Sequence, residues 1–456
     1  MVNWFKGVIF IKHLVRLRNL VLIVLLSNIL ALNFVLKLPV PIVVVFCILL
    51  FIAFILINIK PSLNNNPSKR LKAIYNGKEL IKLFCFSFLS NICLSIVFWI
   101  YVLPHDMSLW LIILHFILMI VFEIVLLLNG IIRIVTTSVQ LGVKWRILLF
   151  LFWWIPVVNC VLVAIICKIV SKEYELETEK QELNDIRKEN ETCKTKYPLL
   201  LVHGVFFRDL KYFNYWGRIP KELMRNGATI YYGEQQSAAS IAISAEELKQ
   251  KILKIIEETK CKKVNIIAHS KGGLDARYAI SCLGMDEYVA SLTTISTPHR
   301  GCAFADYLLN VAPKWLLNFV SKRYNSALKK LGDTNPDFMG AIKDLTLANC
   351  KTINAQALDK PNVYYQSFAS RMKRWTSAPF PQCLSYILVH HFNKKNDGLV
   401  DVDSAKWGDK YQLLTCSGNR GISHGDMIDL YRENIKGFDV RELFVDIVKG
   451  LKESGF

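Results

Sequence analysis

The sequence predicts a chain of two parts: an all-α membrane region, then an α/β domain whose mostly parallel sheet is covered by helices on both faces. Three observations carry this. Apolar runs of about 20 residues, the length that crosses a bilayer, crowd residues 1–170 and then stop. Beyond residue 197, short apolar runs alternate with amphipathic stretches, the rhythm of a parallel sheet with helical crossovers. And Val264-Asn265-Ile266-Ile267-Ala268, a strand-like run, ends in a small-residue turn around Ser270 before the helix-like stretch Leu274–Ile280.

Five runs make up the membrane region: 19–36, 40–59, 80–103, 109–131 and 147–167. One such run could be a signal peptide, but five could not. Lys6, Lys12, Arg16 and Arg18 precede the first run. Lys60, Lys69, Arg70, Lys72 and Lys78 follow the second, and Arg133, Lys144 and Arg146 follow the fourth. The first loop carries only Lys37, and Pro104–Ser108 carries no basic residue. The positive-inside rule then predicts a cytoplasmic N-terminus, five crossings and an extracytoplasmic α/β domain at the cell surface. Glu123 and His115 lie inside the fourth run, where packing or assembly is the expected role. Residues 171–196 alternate glutamates with lysines and read as a charged, solvated stalk.

The α/β domain is read over residues 197–456. Pro198–Val202 is its first strand and ends at His203-Gly204-Val205. Ser244-Ala245-Glu246-Glu247 has the form of a capping box, and Leu248, Ile252, Ile255 and Ile256 form the apolar face of the helix that follows. Strands are expected at Lys263–Ala268, Ser291–Ile295, Asn362–Phe368 and Leu384–Val389. Residues 305–331 interrupt the rhythm with large apolar residues, Trp315, Leu316 and Phe319 among them, flanked by Lys314, Lys322 and Arg323.

Composition excludes little. The net charge of +19, from 56 basic and 37 acidic residues, is concentrated where inside loops need it. No nucleic-acid recognition motif accompanies it. Twelve cysteines show neither metal spacing nor a disulfide framework.

The chemistry centres on Ser270. A serine on a tight strand-to-helix turn is held out as a nucleophile. It needs a base, and the base needs a third group to fix its tautomer. Asp397, in an Asn-Asp-Gly turn, and His424 follow in the order Ser, Asp, His. Asp401 and Asp403 are rival acids, expected in turns. His203, His269 and His299 read as structural, and His390 and His391 precede Asp397 and break the order. The backbone N–H of Lys271 and that of Val205 are the candidate oxyanion donors.

Leu201-Val202-His203-Gly204, Ala268-His269-Ser270-Lys271-Gly272-Gly273-Leu274, Thr297-Pro298-His299-Arg300-Gly301, Asn396-Asp397-Gly398-Leu399-Val400 and His424-Gly425-Asp426 together resemble the motif set of bacterial true lipases. These are triacylglycerol lipases of the α/β-hydrolase superfamily. The resemblance spans about Tyr197 to Phe456 and leaves residues 1–170 uncovered. It implies an α/β-hydrolase fold, catalytic Ser270, Asp397 and His424, oxyanion donors Val205 and Lys271, a lipid ester substrate, and a helical lid at 305–331. No cofactor is required. Some such lipases bind structural Ca²⁺, for which Asp426 is a possible ligand, but the basic stretch Ser370–Trp375 offers no second carboxylate. The expected activity is ester hydrolysis through an acyl-enzyme by a membrane-anchored enzyme in contact with membrane lipids. Acyl transfer to a lipid or glycan alcohol, or phospholipid cleavage, would use the same residues. A non-catalytic lipid-binding membrane protein is the reading from another class, and would tolerate a broken triad.

Overall fold

The computed structural model describes residues 2–101, 107–205, 215–330 and 332–456. It forms two compact units, Met1–Glu182 and Leu183–Phe456. The end of the 80–103 run, Phe206 and Leu331 lie outside the described residues.

The first unit is helical: α1 Val2–Ser27, α2 Ile29–Leu36, α3 Val40–Ile59, α4 Lys69–Tyr101, α5 Leu109–Thr137, α6 Val143–Phe152 and α7 Pro156–Lys188. Helices α3, α4 and α5 are long and apolar enough to cross a membrane. The apolar part of α1 and α2 make a fourth candidate, bent by 70° at their junction. Where α4 crosses α5, Gly77 and Gly130 face each other. A Cβ on either would lie 2.9 Å from the other's carbonyl oxygen, the close approach that small residues permit between apolar helices. Glu123 is buried and accepts hydrogen bonds from Ser87 Oγ (2.9 Å) and Asn91 Nδ2 (2.8 Å), and Asn28 joins Asn91. His115 stacks on Phe98. Both titratable groups of the fourth run are thus packed within the helix bundle.

The expected fifth crossing, 147–167, is not one helix. A turn at residues 153–155, just before Pro156, divides it into α6 and α7. Glu173 on α7 returns to the residues immediately before α6: its carboxylate accepts from Ser138 Oγ, Val139 N (3.0 Å) and Gln140 N (3.2 Å). The chain therefore leaves and re-enters the bundle at one end. Among the described residues three helices, or four with the bent pair counted as one, are long and apolar enough to cross a membrane, against five runs in the sequence. The charged 171–196 stretch is helical to Lys188, and Glu173 within it is buried.

The second unit carries a six-stranded, all-parallel sheet: β1 Leu199–Val202, β2 Ile230–Tyr232, β3 Val264–His269, β4 Val289–Ile295, β5 Tyr364–Ser370 and β6 Lys410–Leu414, in the order β2-β1-β3-β4-β5-β6. Its helices are α8 Ile219–Arg225, α9 Ile241–Thr259, α10 Lys271–Cys282, α11 Ala303–Val311, α12 Lys314–Lys330, α13 Phe338–Asp344, α14 Leu347–Gln356, α15 Gln382–Phe392 and α16 Val440–Glu453. Alternate strand residues face opposite layers, as the pleat requires. Leu199, Leu201, Ile267, Ile295 and Phe368 pack with Leu223 of α8 and Phe444 and Val448 of α16. Leu200, Val202, Ile266 and Leu292 pack with Leu248 and Ile252 of α9 and Ala276 and Ile280 of α10.

Two local expectations are corrected. Helix α9 is capped by Ser240, whose side chain accepts from Ile243 N; Ser244 lies inside the helix and is buried. And Leu384–Val389, expected as a strand, belongs to α15. A six-residue apolar run cannot tell strand from helix by periodicity. Here Gln382, Tyr386 and Val389 face inward, while Leu384, Ile387 and Leu388 remain about half exposed.

Candidate active site

Strand β3 delivers Ser270 to the turn before α10 with φ 55° and ψ −132°. A non-glycine residue with positive φ is strained, and a strained strand-to-helix turn is the geometry that exposes a nucleophilic serine. The glycines show how tightly the turn is built. A Cβ on Gly272 would lie 2.4 Å from His203 O and 3.0 Å from Val202 O, at the end of β1. A Cβ on Gly204 would lie 2.8 Å from Ser270 Cβ. The end of β1, with Val205 one residue further on, is thereby pressed against the serine. The Lys271 side chain runs into the interior, its Nζ 2.7 Å from Asp275 Oδ1 and 3.2 Å from Ser244 Oγ. Burial pushes the Asp275 carboxyl up to about 7, against the opposing pull of Lys271.

Asp397 and His424 meet although 27 residues separate them: Asp397 Oδ2 is 2.8 Å from His424 Nδ1. The other oxygen, Oδ1, accepts from Val400 N (2.8 Å) and Leu399 N (3.1 Å), and His424 N donates to Asp397 O (2.8 Å). The Asn396 side chain accepts from Gly398 N, where φ is 101°. A carboxylate on Nδ1 assigns the proton there and leaves Nε2 as the basic nitrogen. The His424 ring lies 4.4 Å, centroid to centroid, from that of His269, which precedes Ser270. Among the described residues no hydrogen bond joins Ser270 Oγ to Nε2; such contacts commonly tighten only when substrate binds.

The rivals lie elsewhere. Asp401 accepts from Ser404 N, closing a turn, and the Asp403 carbonyl accepts from Arg300. The His203 ring contacts Gly204 O and Gln235 O. His299 is buried between Thr294, Arg277 and the face of Trp407. His390 and His391 end α15.

Three residues of the site escape sequence reasoning. Tyr215 Oη accepts from Gly204 N (3.0 Å) and lies 2.6 Å from His269 Nδ1. Burial, with the nearby His424 adding to it, lowers the His269 pKa well below the usual range. The neutral ring can then accept the phenol proton. Gln382 links the acid loop to the histidine loop: Nε2 donates to Asp397 O (3.2 Å), and Oε1 accepts from Tyr431 Oη (2.8 Å). Arg420 is the third. Its guanidinium grips Asp426 at 2.7 and 3.1 Å, and Ser423 N and Oγ also donate to that carboxylate. None of the three stands in a recognisable sequence pattern; each is found only by which loops the fold brings together.

The Asp426 contacts bear on calcium. The carboxylate is already neutralised by a cation and saturated with donors, and the facing stretch Ser370–Trp375 supplies no carboxylate. A hard cation needs several oxygen ligands, and these residues do not fit one. Among the described residues, no group of three His, Cys, Asp or Glu side chains could hold a metal ion.

The family described as "Putative serine esterase (DUF676)" matches residues 199–346. Triacylglycerol lipase 2 of Saccharomyces cerevisiae is 32% identical over 274 residues, 54% of this chain and 78% of that protein. A triacylglycerol lipase of Vibrio cholerae is 32% identical over 276 residues, 53% of this chain and 87% of its own length. The chain belongs to the triacylglycerol lipase family. It is a serine hydrolase of the lipase and esterase type with an α/β-hydrolase sheet. A solved structure of the mature Bacillus licheniformis lipase BlEst2 is also similar, at 20% identity and a TM-score of 0.42, covering 56% of this chain and 92% of that one. The matched relatives include a yeast protein, so the likeness is not confined to bacterial lipases.

The described part of the 305–331 segment lies in α11 and α12. Ala305, Leu308, Val320 and Tyr324 pack with Phe338 and Ile342 of α13. Trp315 and Phe319 are 72% and 56% exposed.

Proposed function

We propose that the protein is a membrane-anchored lipase that cleaves carboxylic esters of lipids, triacylglycerols among them, through an acyl-enzyme. Ser270 Oγ attacks the ester carbonyl while His424 Nε2 takes its proton. Asp397 holds the tautomer and stabilises the imidazolium. The N–H groups of Lys271 and Val205 hold the oxyanion; His424 returns the proton to the leaving alcohol, and water attacks the acyl-enzyme by the reverse path. The observation that carries this reading is the strained Ser270 turn lying beside a histidine already oriented by a buried carboxylate. No cofactor enters these steps. Helices α11 and α12 act as a lid, their exposed Trp315 and Phe319 suited to contact a lipid surface, and the apolar helices of the first unit anchor the enzyme.

The test uses the full chain in detergent. A fluorophosphonate should label wild type and not Ser270→Ala, and hydrolysis of a soluble short-chain ester should fall by several powers of ten in the variant. Undiminished turnover in Ser270→Ala would overturn the assignment. Trp315→Ser combined with Phe319→Ser should blunt activity on emulsified long-chain ester and spare the soluble one. Equal loss of both would make the segment core rather than lid.

A further inference from the structure

The helices of the first unit can be sorted by which ends touch. At one end, Arg16 of α1 pairs with Glu79 of α4 at 2.7 Å, and Asn19 donates to Pro61 O just after α3. Arg133, near the end of α5, donates to Asn58 O at 2.7 Å. Arg70, at the start of α4, meets Thr137 O and Glu173. At the opposite end, Phe34 of α2, Phe98 of α4, Met107 just before α5 and Phe116 of α5 form an apolar cluster. So α1 with α2, α3, α4 and α5 run alternately between the two ends, four passes in all. The first end gathers Lys12, Arg16, Arg18, Lys60, Lys69, Arg70, Lys78 and Arg133; the loop after α2, at the other, has Lys37.

Helix α6 then starts at the basic end, and α7 is back there at Glu173. Arg146 donates to Ser138 O at 2.8 Å. Glu173 caps residues 138–140 and pairs with Arg70. One residue on, Tyr174 packs against Tyr75 (5.0 Å) and donates to Asn64; Asn66 donates to Thr178. Helix α6 has 10 residues, about 15 Å at 1.5 Å per residue, half of a hydrocarbon core of about 30 Å. It and the first part of α7 form a re-entrant hairpin. However deep the hairpin reaches, the chain comes back to the end from which it left.

We infer that the hydrolase domain stands on the same side of the membrane as the basic end and the N-terminus, which is the cytoplasmic side by the positive-inside rule. Its substrates are then ester lipids of the cytoplasmic leaflet or of the cytoplasm, not exogenous fat. The assignment of a substrate pool rests on the ester-hydrolase reading above; the topology does not. The surface of the domain suits an inner leaflet. Exposed Trp315 and Phe319 share their helix with Lys314, Lys322 and Arg323, exposed Ile387 and Leu388 are followed in the chain by Lys394 and Lys395, and basic residues beside apolar ones favour an anionic lipid surface.

The full chain carrying a fluorescent protein after Phe456, or alkaline phosphatase at the same point, tests the topology in a bacterial host. Green fluorescence without phosphatase activity is the expected result, with active phosphatase when it is fused instead in the loop after Lys37. Phosphatase activity at the C-terminus, alone or beside fluorescence, would overturn the inference. A membrane-impermeant fluorophosphonate should label Ser270 in inside-out vesicles and not in right-side-out ones; the opposite pattern would also overturn it. If no preparation is labelled even after detergent, the hydrolase reading fails while the fusions still decide the topology.

Discussion

Replacing Arg420 by methionine tests whether a protein cation does the work expected of a metal. Asp426 is all but buried, with 2% of its side chain exposed, whereas that of Arg420 is 24% exposed. Breaking a fully buried pair costs about 3–5 kcal/mol, and an exposed one about 0–1 kcal/mol. Asp426 keeps two donors from Ser423, so the loss should be intermediate, about 2 kcal/mol. Activity against a soluble ester, followed through a urea series, reads the hydrolase unit alone. With a slope of about 2 kcal/mol per molar, the midpoint of Arg420→Met should fall by about 1 M. Because His424 lies two residues from Asp426, kcat should also drop, by roughly tenfold to a hundredfold for a displacement near 1 Å. Asp426→Asn should lose less on the Arg420→Met background than on wild type, with a coupling of about 1 kcal/mol or more. A chelator should leave the wild-type midpoint where it is. Additive single effects, or a midpoint that falls with chelator and recovers with calcium, would refute the reasoning.

Three further outcomes are expected. Gly272→Ala places a Cβ against two backbone carbonyls; it should cost about 1–3 kcal/mol and depress kcat by moving the Val205 donor, read by the same urea series and by kinetics. Tyr215→Phe leaves the buried Gly204 N–H unpaired, about 1–3 kcal/mol, and should lower kcat more than it raises KM. His269 and His299 are both held neutral by burial, with pKa values well below 6.5. The unfolded chain therefore binds more protons below about pH 6.5, so their contribution is present above that pH and is lost as pH falls. The urea midpoint should decline from pH 7.5 to 5.5, and His299→Gln should be less stable at pH 7.5 but decline less. Equal slopes would remove His299 from the account.

Much of the hydrolase unit is legible in the sequence because its signals are local. Ser270 is framed by an apolar strand and glycines, and Asp397 by an Asn-Asp-Gly turn, so residue types and order point to the chemistry. What is not legible is whatever depends on two loops meeting. Gln382, Tyr215 and Arg420 carry no motif; each matters only because α15, the end of β1 and the His424 loop converge. The same limit explains the misread of α15. Its apolar face is turned partly outward, so the usual inward stripe of a surface helix is absent, and a short run of large residues looks like a buried strand.

The membrane region shows a related limit of sequence reading. Hydropathy counts apolar runs; it does not say where their ends lie. The run 147–167 has the length of a crossing. Two features favour the hairpin inferred above. Trp153-Trp154-Ile155-Pro156 puts a helix breaker near the middle of the 143–167 stretch. And the apolar run 147–167 is basic on both flanks, with Lys144 and Arg146 before it and Lys168 and Lys172 after it. A true crossing separates a basic flank from one poor in lysine and arginine, as the first four passes do, whereas a hairpin that returns to its own side is basic at both. Glu173 then closes the hairpin by capping the residues where it began. Glu173→Gln should therefore loosen the hairpin without altering the side on which Phe456 lies, since the flanking lysines and arginines remain. The phosphatase and fluorescence fusions placed on this variant should match those on wild type. A reversal would mean that Glu173, rather than the basic flanks, decides the topology.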